Sequence, residues 1–331
     1  MTNQLPETTR HILISLNPKA GRASPLRRGE ELRDRLKDKG FQVELGTDLQ
    51  ELASRASELH REGLLRALIG VGGDGTAAEL VNRTEPGTPI TLLPAGTANL
   101  LSKHFRWGNT PKALAETISQ GHCVTLDAGK ANGRLFLVMV GCGFDAFTVA
   151  QVHARREENY RQGSKKGAHI SYFSYLKPIF KALREYRYPR MKIEAFSSEG
   201  DNIDAAYDDG RWAFIFNLNR YGWGIPLAPY AAGNDGLLDL CMMKGGSVFQ
   251  GLKYTAFAQC FAMHRFLSDV VLKQAKRFRI TSEEPIPYQL DGDPGGMLPV
   301  EIEIVEKRLT LIVPKNKHSV ENPRVVTEPD A

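Results

Sequence analysis

The sequence predicts an α/β domain on a parallel sheet, followed by a second domain that is mainly an antiparallel β-sandwich. Three observations predict it. The chain has 331 residues, a length that suggests two domains. In the first third, apolar runs alternate with stretches of helical spacing, the pattern of a parallel sheet flanked by helices. After Asp127 the apolar runs are separated mostly by turns, the pattern of antiparallel strands.

His11–Leu16 (HILISL) is an apolar run closed by Asn17-Pro18 and reads as a buried strand. Ser24-Pro25 has the order of an N-cap followed by proline at the first helical position. Leu26, Leu32 and Leu36 mark one helical face, and Gly40 stands where a helix-ending glycine belongs. Phe41–Leu45 is the next strand and Leu49–Glu62 the next helix. Leu64–Val71 is a third strand, running straight into a glycine loop. Thr76–Arg83 is helical, with Thr76 and Glu79 at capping-box spacing. Ile90–Leu93 is a fourth strand, followed by a loop over Pro94–Asn99 and another helical stretch.

In the second half, Arg134–Val140, Arg190–Phe196, Trp212–Asn217, Leu237–Met243, Lys276–Ile280 and Val300–Val305 read as strands. Helical stretches near Tyr172–Tyr186 and Val248–Arg265 interrupt them. The expected organisation is an α/β domain over 10–127, with 308–315 a candidate to rejoin it, and a β-rich domain over 128–307. A polar tail over 316–331 follows.

A hydrophobic fraction of 42% and a charged fraction of 24% are ordinary for a globular protein. A net charge of +5 suits an anionic ligand or membrane surface, and is too weak to argue for nucleic acid. Cys123, Cys142, Cys241 and Cys260 have no C-x-x-C spacing and are expected to be buried free thiols of a reducing compartment. No apolar run approaches a membrane span, so a cytoplasmic protein with at most peripheral membrane contact is expected.

Gly70-Val71-Gly72-Gly73-Asp74-Gly75 fits G-x-G-x-x-G after a strand and before a helix, the dinucleotide fingerprint. That fingerprint needs an acid about 20 residues further on. No Asp or Glu occurs between Glu85 and Glu116, which disfavours it. A Walker-type G-x-x-x-x-G-K-[ST] loop is also missing. The physics of the loop survives both exclusions. Glycines let backbone approach a phosphate, and a helix N-terminus aims N–H groups at it. Asp74 is then a carboxylate at the mouth of an anion site, a group that handles Mg2+ or a proton. The competing reading is a tight strand-to-helix turn with a capping acid.

Two further small-residue loops follow strands: Asn17-Pro18-Lys19-Ala20-Gly21 and Pro94-Ala95-Gly96-Thr97-Ala98-Asn99. Together, N-P-x-x-G, G-G-D-G-T and P-x-G-T-x-N resemble the diacylglycerol kinase catalytic domain family, which includes bacterial lipid kinases, sphingosine kinases and ceramide kinases. The resemblance continues through Gly141-Cys142-Gly143-Phe144-Asp145-Ala146, through Ala228–Ala231 with Asn234–Asp239, and through Asp291-Gly292-Asp293. It implies ATP in a cleft between two domains and an ATP-dependent kinase that phosphorylates a lipid hydroxyl, of diacylglycerol, ceramide or a sphingoid base. Carried over, Asn17, Pro18, Gly21, Gly72, Gly73, Asp74, Gly75, Thr76, Glu79, Gly96, Thr97 and Asn99 would surround the nucleotide, with Thr47 near the nucleoside. Asp74, Asp291 and Asp293 would be catalytic, meeting across the cleft. A structural Mg2+ would be held by the Asp235 carboxylate and the Ala232 and Leu237 carbonyls.

Three positions depart from the family pattern. Leu100 stands where aspartate is frequent, Asp293 replaces a glutamate with one methylene more, and Asn234 replaces the first acid of D-D-G. Two alternatives remain open: an NAD kinase-like enzyme, and a nucleotide- or lipid-binding protein that turns over poorly. The expected partners are a lipid substrate and the inner face of a membrane, with no nucleic acid and with a homodimer left open. Tyr172–Tyr186 and Tyr254–Phe266 are candidates for the apolar acceptor slot, with plain core packing the competing reading. Arg155, Arg156, Arg161, Lys165 and Lys166 form a candidate basic membrane foot, or a solvated charged loop.

Overall fold

The structure is a computed structural model that describes residues 2–17, 25–96, 99–161, 185–197, 202–219 and 221–315. The chain divides into two compact units, Met1–Leu126 with Glu158–Tyr172 and Glu306–His318, and Asp127–Glu157 with Phe173–Val305 and Ser319–Ala331. Each has its own apolar core.

The first unit begins with β1 (Thr2–Gln4), β2 (His11–Leu16), α1 (Pro25–Asp38), β3 (Gln42–Gly46), α2 (Leu49–Arg61) and β4 (Leu65–Gly72). It continues through α3 (Asp74–Arg83), β5 (Pro89–Pro94), α4 (Leu100–His104), α5 (Pro111–Gln120) and the start of β6 (His122–Ala131). Strands β3, β2, β4 and β5 pair in parallel in that order. All eight residues of β4 are buried, which explains its unbroken apolar sequence. The Asp48 side chain caps α2 by accepting the Glu51 N–H at 3.0 Å. Thr110, Pro111 and the left-handed Gly121 (φ 67°) bound α5.

The second unit holds the end of β6, β7 (Arg134–Phe136), β8 (Met139–Cys142), α6 (Phe144–Arg161), β9 (Met191–Phe196), β10 (Ala205–Gly210) and β11 (Trp212–Phe216). It goes on with β12 (Leu238–Met243), α7 (Val248–Gln259), β13 (Val270–Ala275), β14 (Arg277–Thr281), β15 (Pro287–Leu290), β16 (Asp293–Met297) and the start of β17 (Val300–Ile312). Antiparallel β10, β9, β14 and β17 face a six-stranded sheet in the order β13-β12-β11-β8-β15-β16. Ile193, Phe278 and Ile302 from one sheet and Val140, Ile215 and Leu240 from the other share one buried core, so this unit is a sandwich. The end of β17 carries the chain back to the first unit, where Thr310 and Leu311 pair in parallel with Pro89 and Ile90 of β5.

Several sequence expectations need correction. The expected strand Val300–Val305 continues to Ile312 as one strand, β17, with Lys307 at φ 53° inside it; the polar residues Glu306, Lys307 and Arg308 hid the continuity. The Arg134–Val140 run breaks into β7 and β8 because the Asp291 carboxylate takes the N–H groups of Leu137, Val138 and Met139 at 2.6, 2.9 and 2.9 Å. Leu26 is exposed, so the buried face of α1 rests on Gly29, Leu32 and Leu36. The helix expected over Val248–Arg265 ends at Gln259 and resumes as a 3-10 turn, Met263–Phe266. Cys260 is exposed, whereas Cys123, Cys142 and Cys241 are buried. Ser24, the tail and the basic stretch over 165–166 lie outside the described residues, as does Tyr172–Tyr186 apart from its last two positions.

Candidate active site

In the first unit, the ends of β2, β4 and β5 bring Asn17 together with the glycine-containing loops that follow β4 and β5. Asn17, just after β2, donates from Nδ2 to Thr76 Oγ1 at 3.2 Å. Gly73 lies against Gly96: a Cβ at Gly96 would fall 2.6 Å from the Gly73 Cα, and one at Gly73 would fall 3.0 Å from the Gly96 Cα. Only glycine allows this approach of two backbones. The Gly72 carbonyl accepts the Ala95 N–H at 2.8 Å, sealing the same contact.

Asp74 joins these loops through its carboxylate. Oδ2 accepts the Leu100 N–H at 2.9 Å and Oδ1 the Leu101 N–H at 3.0 Å, so Asp74 caps the start of α4. Asn99 has φ 47°, and its amide closes a turn on Gly96, accepting the Gly96 N–H at 3.1 Å and donating to the Gly96 carbonyl at 2.9 Å. Burial pushes the Asp74 carboxyl up, and the Leu101 and Leu100 N–H groups and Lys103 pull it part of the way back. Each carboxylate oxygen has lone pairs beyond the one given to its N–H, so Asp74 retains capacity for a cation. Arg28 of α1 donates to the Pro94 carbonyl at 2.7 Å and fixes the third loop from behind. Arg308, buried in β17, donates to the Val81 and Thr84 carbonyls and anchors the end of α3.

The capping box expected at Thr76 and Glu79 does not form. Helix α3 starts at Asp74, with Gly73 as an extended N-cap (φ −107°, ψ −162°) and no side-chain cap, which puts Thr76 inside the first turn rather than before it. Glu79 instead pairs with Arg83 at 2.8 Å, and the Thr76 hydroxyl receives Asn17. Thr47 is exposed at the end of β3. Gly72 and Gly75 lie on either side of Gly73 and Asp74 as the sequence order requires. Pro18, Gly21 and Thr97 lie outside the described residues.

In the second unit, the Asp291-Gly292-Asp293 turn follows β15. Asp291 accepts three backbone N–H groups, two on Oδ1 and one on Oδ2, and so holds the Leu137–Met139 segment. Asp293 lies 3.6 Å from His153 Nε2 and 3.5 Å from Arg134 Nη2, with about a third of its side chain exposed, 34%. A relay fixes this turn. Tyr221 donates to Asp145 Oδ1 at 2.7 Å, Gln289 Nε2 donates to Asp145 Oδ2 at 2.9 Å, and Gln289 Oε1 accepts the Gly292 N–H at 2.7 Å. Burial raises the Asp145 carboxyl against the pull of Tyr221 and Gln289. Asp145 was visible in the sequence only as part of a G-x-G-F-D-A segment; Gln289 and Tyr221 gave no sign of their role. His153, outside any metal spacing in the sequence, also contacts the Gly292 carbonyl at 3.1 Å.

Asp127 organises the Ala232–Leu237 segment. Its N–H donates to the Gly233 carbonyl at 2.8 Å and its Oδ2 accepts the Gly236 N–H at 2.9 Å. Gly233 (φ 73°) and Gly236 (φ 72°) supply the left-handed turns, and Asp235 Oδ1 accepts the Leu237 N–H at 3.2 Å. One carboxylate and two carbonyls are hard oxygen donors and fit Mg2+ by type. Among the described residues, no cluster of three or more His, Cys, Asp or Glu side chains is placed to share a metal ion.

Fold and loops thus define an α/β unit with glycine loops at its strand ends, joined to a β-sandwich. The diacylglycerol kinase catalytic domain family matches residues 11–131, and the YegS C-terminal NAD kinase beta sandwich-like domain matches residues 139–313. The chain belongs to the diacylglycerol kinase family defined by these domains in series. It is 25% identical over 316 residues to a diacylglycerol kinase of Bacillus subtilis (strain 168), covering 92% of this chain and 96% of that one. It is 26% identical over 262 residues to a diacylglycerol kinase of Staphylococcus epidermidis (strain ATCC 12228 / FDA PCI 1200), covering 77% of each. The crystal structure of a diacylglycerol kinase from Bacillus anthracis str. Sterne shares the fold, with TM-score 0.62 and 20% identity over 94% of this chain and 99% of that one. No helix among the described residues is long and apolar enough to cross a membrane.

Proposed function

We propose that the protein is an ATP- and Mg2+-dependent kinase that transfers the γ-phosphate of ATP to the hydroxyl of a lipid of the diacylglycerol type. The interlocked glycine loops carry this reading: backbone packed as closely as Gly73 on Gly96, beside the start of α3, leaves room for phosphate where side chains would exclude it. Phosphoryl transfer asks for positioning and charge neutralisation more than for covalent chemistry. The loops of β2, β4 and β5 hold the nucleotide, and Asn17 fixes Thr76 at its edge.

Asp74 is the group that would bind Mg2+, whose charge would neutralise phosphate oxygens and offset the burial that raises this carboxyl. Asp235 with the Ala232 and Leu237 carbonyls would hold a structural Mg2+. Asp293 accepts the proton of the acceptor hydroxyl, because its carboxylate is a third exposed, at 34%, whereas that of its neighbour Asp291 is engaged by three backbone N–H groups. His153 and Arg134 orient Asp293. The protein works in the cytoplasm on the inner face of a membrane.

ATP consumption with a total lipid extract tests the reading. Wild type is expected to release ADP only when lipid is present, and Asp74→Ala is expected to abolish that lipid-dependent rate. Equal rates for the two proteins, or ADP release that ignores lipid and follows added NAD, would refute it.

A further inference from the structure

Large apolar side chains on a surface are normally scattered. In the second unit they gather. Phe249, Leu252, Phe257, Phe261, Met263 and Phe266 are exposed, and all lie on α7 or on the segment through the turn that follows it. These are six of the eleven exposed large apolar residues among the described ones, a concentration that needs a cause. Phe249, Phe261 and Phe266 are 84%, 91% and 71% exposed, so whole rings project. The stretch expected to hold an acceptor or fill the core is therefore split. Tyr254, Ala258, Ala262 and His264 are buried, and the aromatic rings between them face out.

The helix is firmly seated with this side outward. The Tyr254 hydroxyl donates to Asp269 Oδ2 at 2.7 Å and accepts the Gly245 N–H at 2.9 Å. Gly251 lies on Trp212, where an added Cβ would come within 2.9 Å. Ser247 caps the first turn. Phe249, Leu252, Ala256 and Cys260 then form one exposed stripe at helical spacing. At the tip, Phe261 (φ 51°) and Ala262 (φ 55°) adopt left-handed backbone, which side-chain-bearing residues disfavour, and this holds Phe261 away from the body.

Charge indicates what covers the stripe. From Lys244 to Ser268 there is no Asp or Glu, while Lys244, Lys253 and Arg265 are basic. Lys244 and Lys253 reach Asp209 and Asp269, outside that segment, at 3.1 and 3.0 Å. Arg265 lies over the Phe266 ring at 4.7 Å and donates to the Tyr230 hydroxyl at 2.9 Å. Projecting rings edged by Arg265, with the neighbouring Asp209 and Asp269 carboxylates each paired to a lysine, match the boundary between headgroups and acyl chains of an anionic bilayer.

We propose that α7 and the Met263–Phe266 turn form the face by which the protein docks on an anionic lipid bilayer, with Phe249, Leu252, Phe261 and Phe266 inserted. Its purpose rests on the lipid-kinase reading, since an acceptor that resides in a bilayer must be met there.

The test uses the full chain and sedimented vesicles of phosphatidylcholine with or without phosphatidylglycerol. Wild type is expected to bind the mixed vesicles, and the triple variant Phe249→Ser, Leu252→Ser, Phe261→Ser to partition about tenfold more weakly or less still, at an unchanged melting temperature. Arg265→Gln is expected to lose part of the preference for phosphatidylglycerol. Equal partition of wild type and triple variant overturns the proposal, as does a wild type that ignores vesicles. A wild-type dimer that the triple variant converts to monomer, without vesicle binding by either, assigns the face to a second copy and also overturns it. Phosphorylation of a lipid dispersed in detergent micelles is read separately. Micellar activity without vesicle binding removes the docking face and leaves the kinase reading, and vesicle binding with no lipid phosphorylated does the reverse.

Discussion

The glycine loops of the first unit and the acidic turn of the second reach functional geometry by opposite means. The loops are built from backbone: Gly73 packs on Gly96, and the Asp74 and Asn99 side chains clamp main-chain groups. The acidic turn is built from side chains: Asp145, Gln289 and Tyr221 fix Gly292, and Asp291 anchors Leu137–Met139. A methyl group should therefore break the first site, and a single charge the second.

Within the acidic turn, the largest effect is expected at Asp293. Asp293→Asn should lower kcat by about 10²–10⁴-fold with ATP affinity kept. Asp293→Glu should keep most activity, because the longer acid still faces His153 and Arg134. Steady-state kinetics and ATP titration separate the two parameters. A normal kcat for Asp293→Asn would end the assignment of the proton to this residue.

Next comes the backbone contact. Gly96→Ala should weaken ATP binding by about tenfold or more, since its Cβ meets the Gly73 Cα at 2.6 Å. Gly222→Ala, where an added Cβ meets nothing within 4 Å, is the control and should bind ATP normally. Asp291 sharpens the contrast from the other side. Asp291→Asn should lower unfolding free energy by about 2 kcal/mol through its backbone partners, with ATP affinity unchanged. Urea unfolding and ATP titration check this, and a stable but inactive variant would return Asp291 to the chemistry.

The smallest effect is a pH trend. Burial raises the Asp74 carboxyl above its ordinary 3.8, so its favourable contribution is present below that value and is lost as pH rises through the raised one. The stability of wild type relative to Asp74→Asn should fall as pH rises above the ordinary carboxylate value, in the absence of nucleotide and metal. Mg2+ with ATP should reverse the trend. A gap that does not change with pH would show that the carboxylate carries no such cost.

How much of this was legible in the sequence depended on distance along the chain. The glycine loops were readable because their meaning is local: a strand, a few small residues, a helix. The alternation of strands and helices located the parallel sheet for the same reason. The capping box at Thr76 and Glu79 failed because α3 begins earlier, at Asp74, so Thr76 lies inside its first turn. The holding role of Asp291 was hidden because its N–H partners are more than 150 residues away, at Leu137–Met139. Arg28, Arg308 and Gln289 were silent for the same reason, since their partners belong to other elements. The outward face of α7 was unreadable because helical spacing of aromatic residues is the same whether the helix turns them to a core or to a surface.

The most direct measurement of the central claim is mass spectrometry of a lipid extract incubated with the protein, Mg2+ and ATP labelled at the γ-phosphate. A lipid phosphomonoester carrying the label, formed in step with ADP and lost in Asp293→Asn, is the predicted result. ADP formed without any labelled lipid, or label appearing in a water-soluble acceptor, would contradict it.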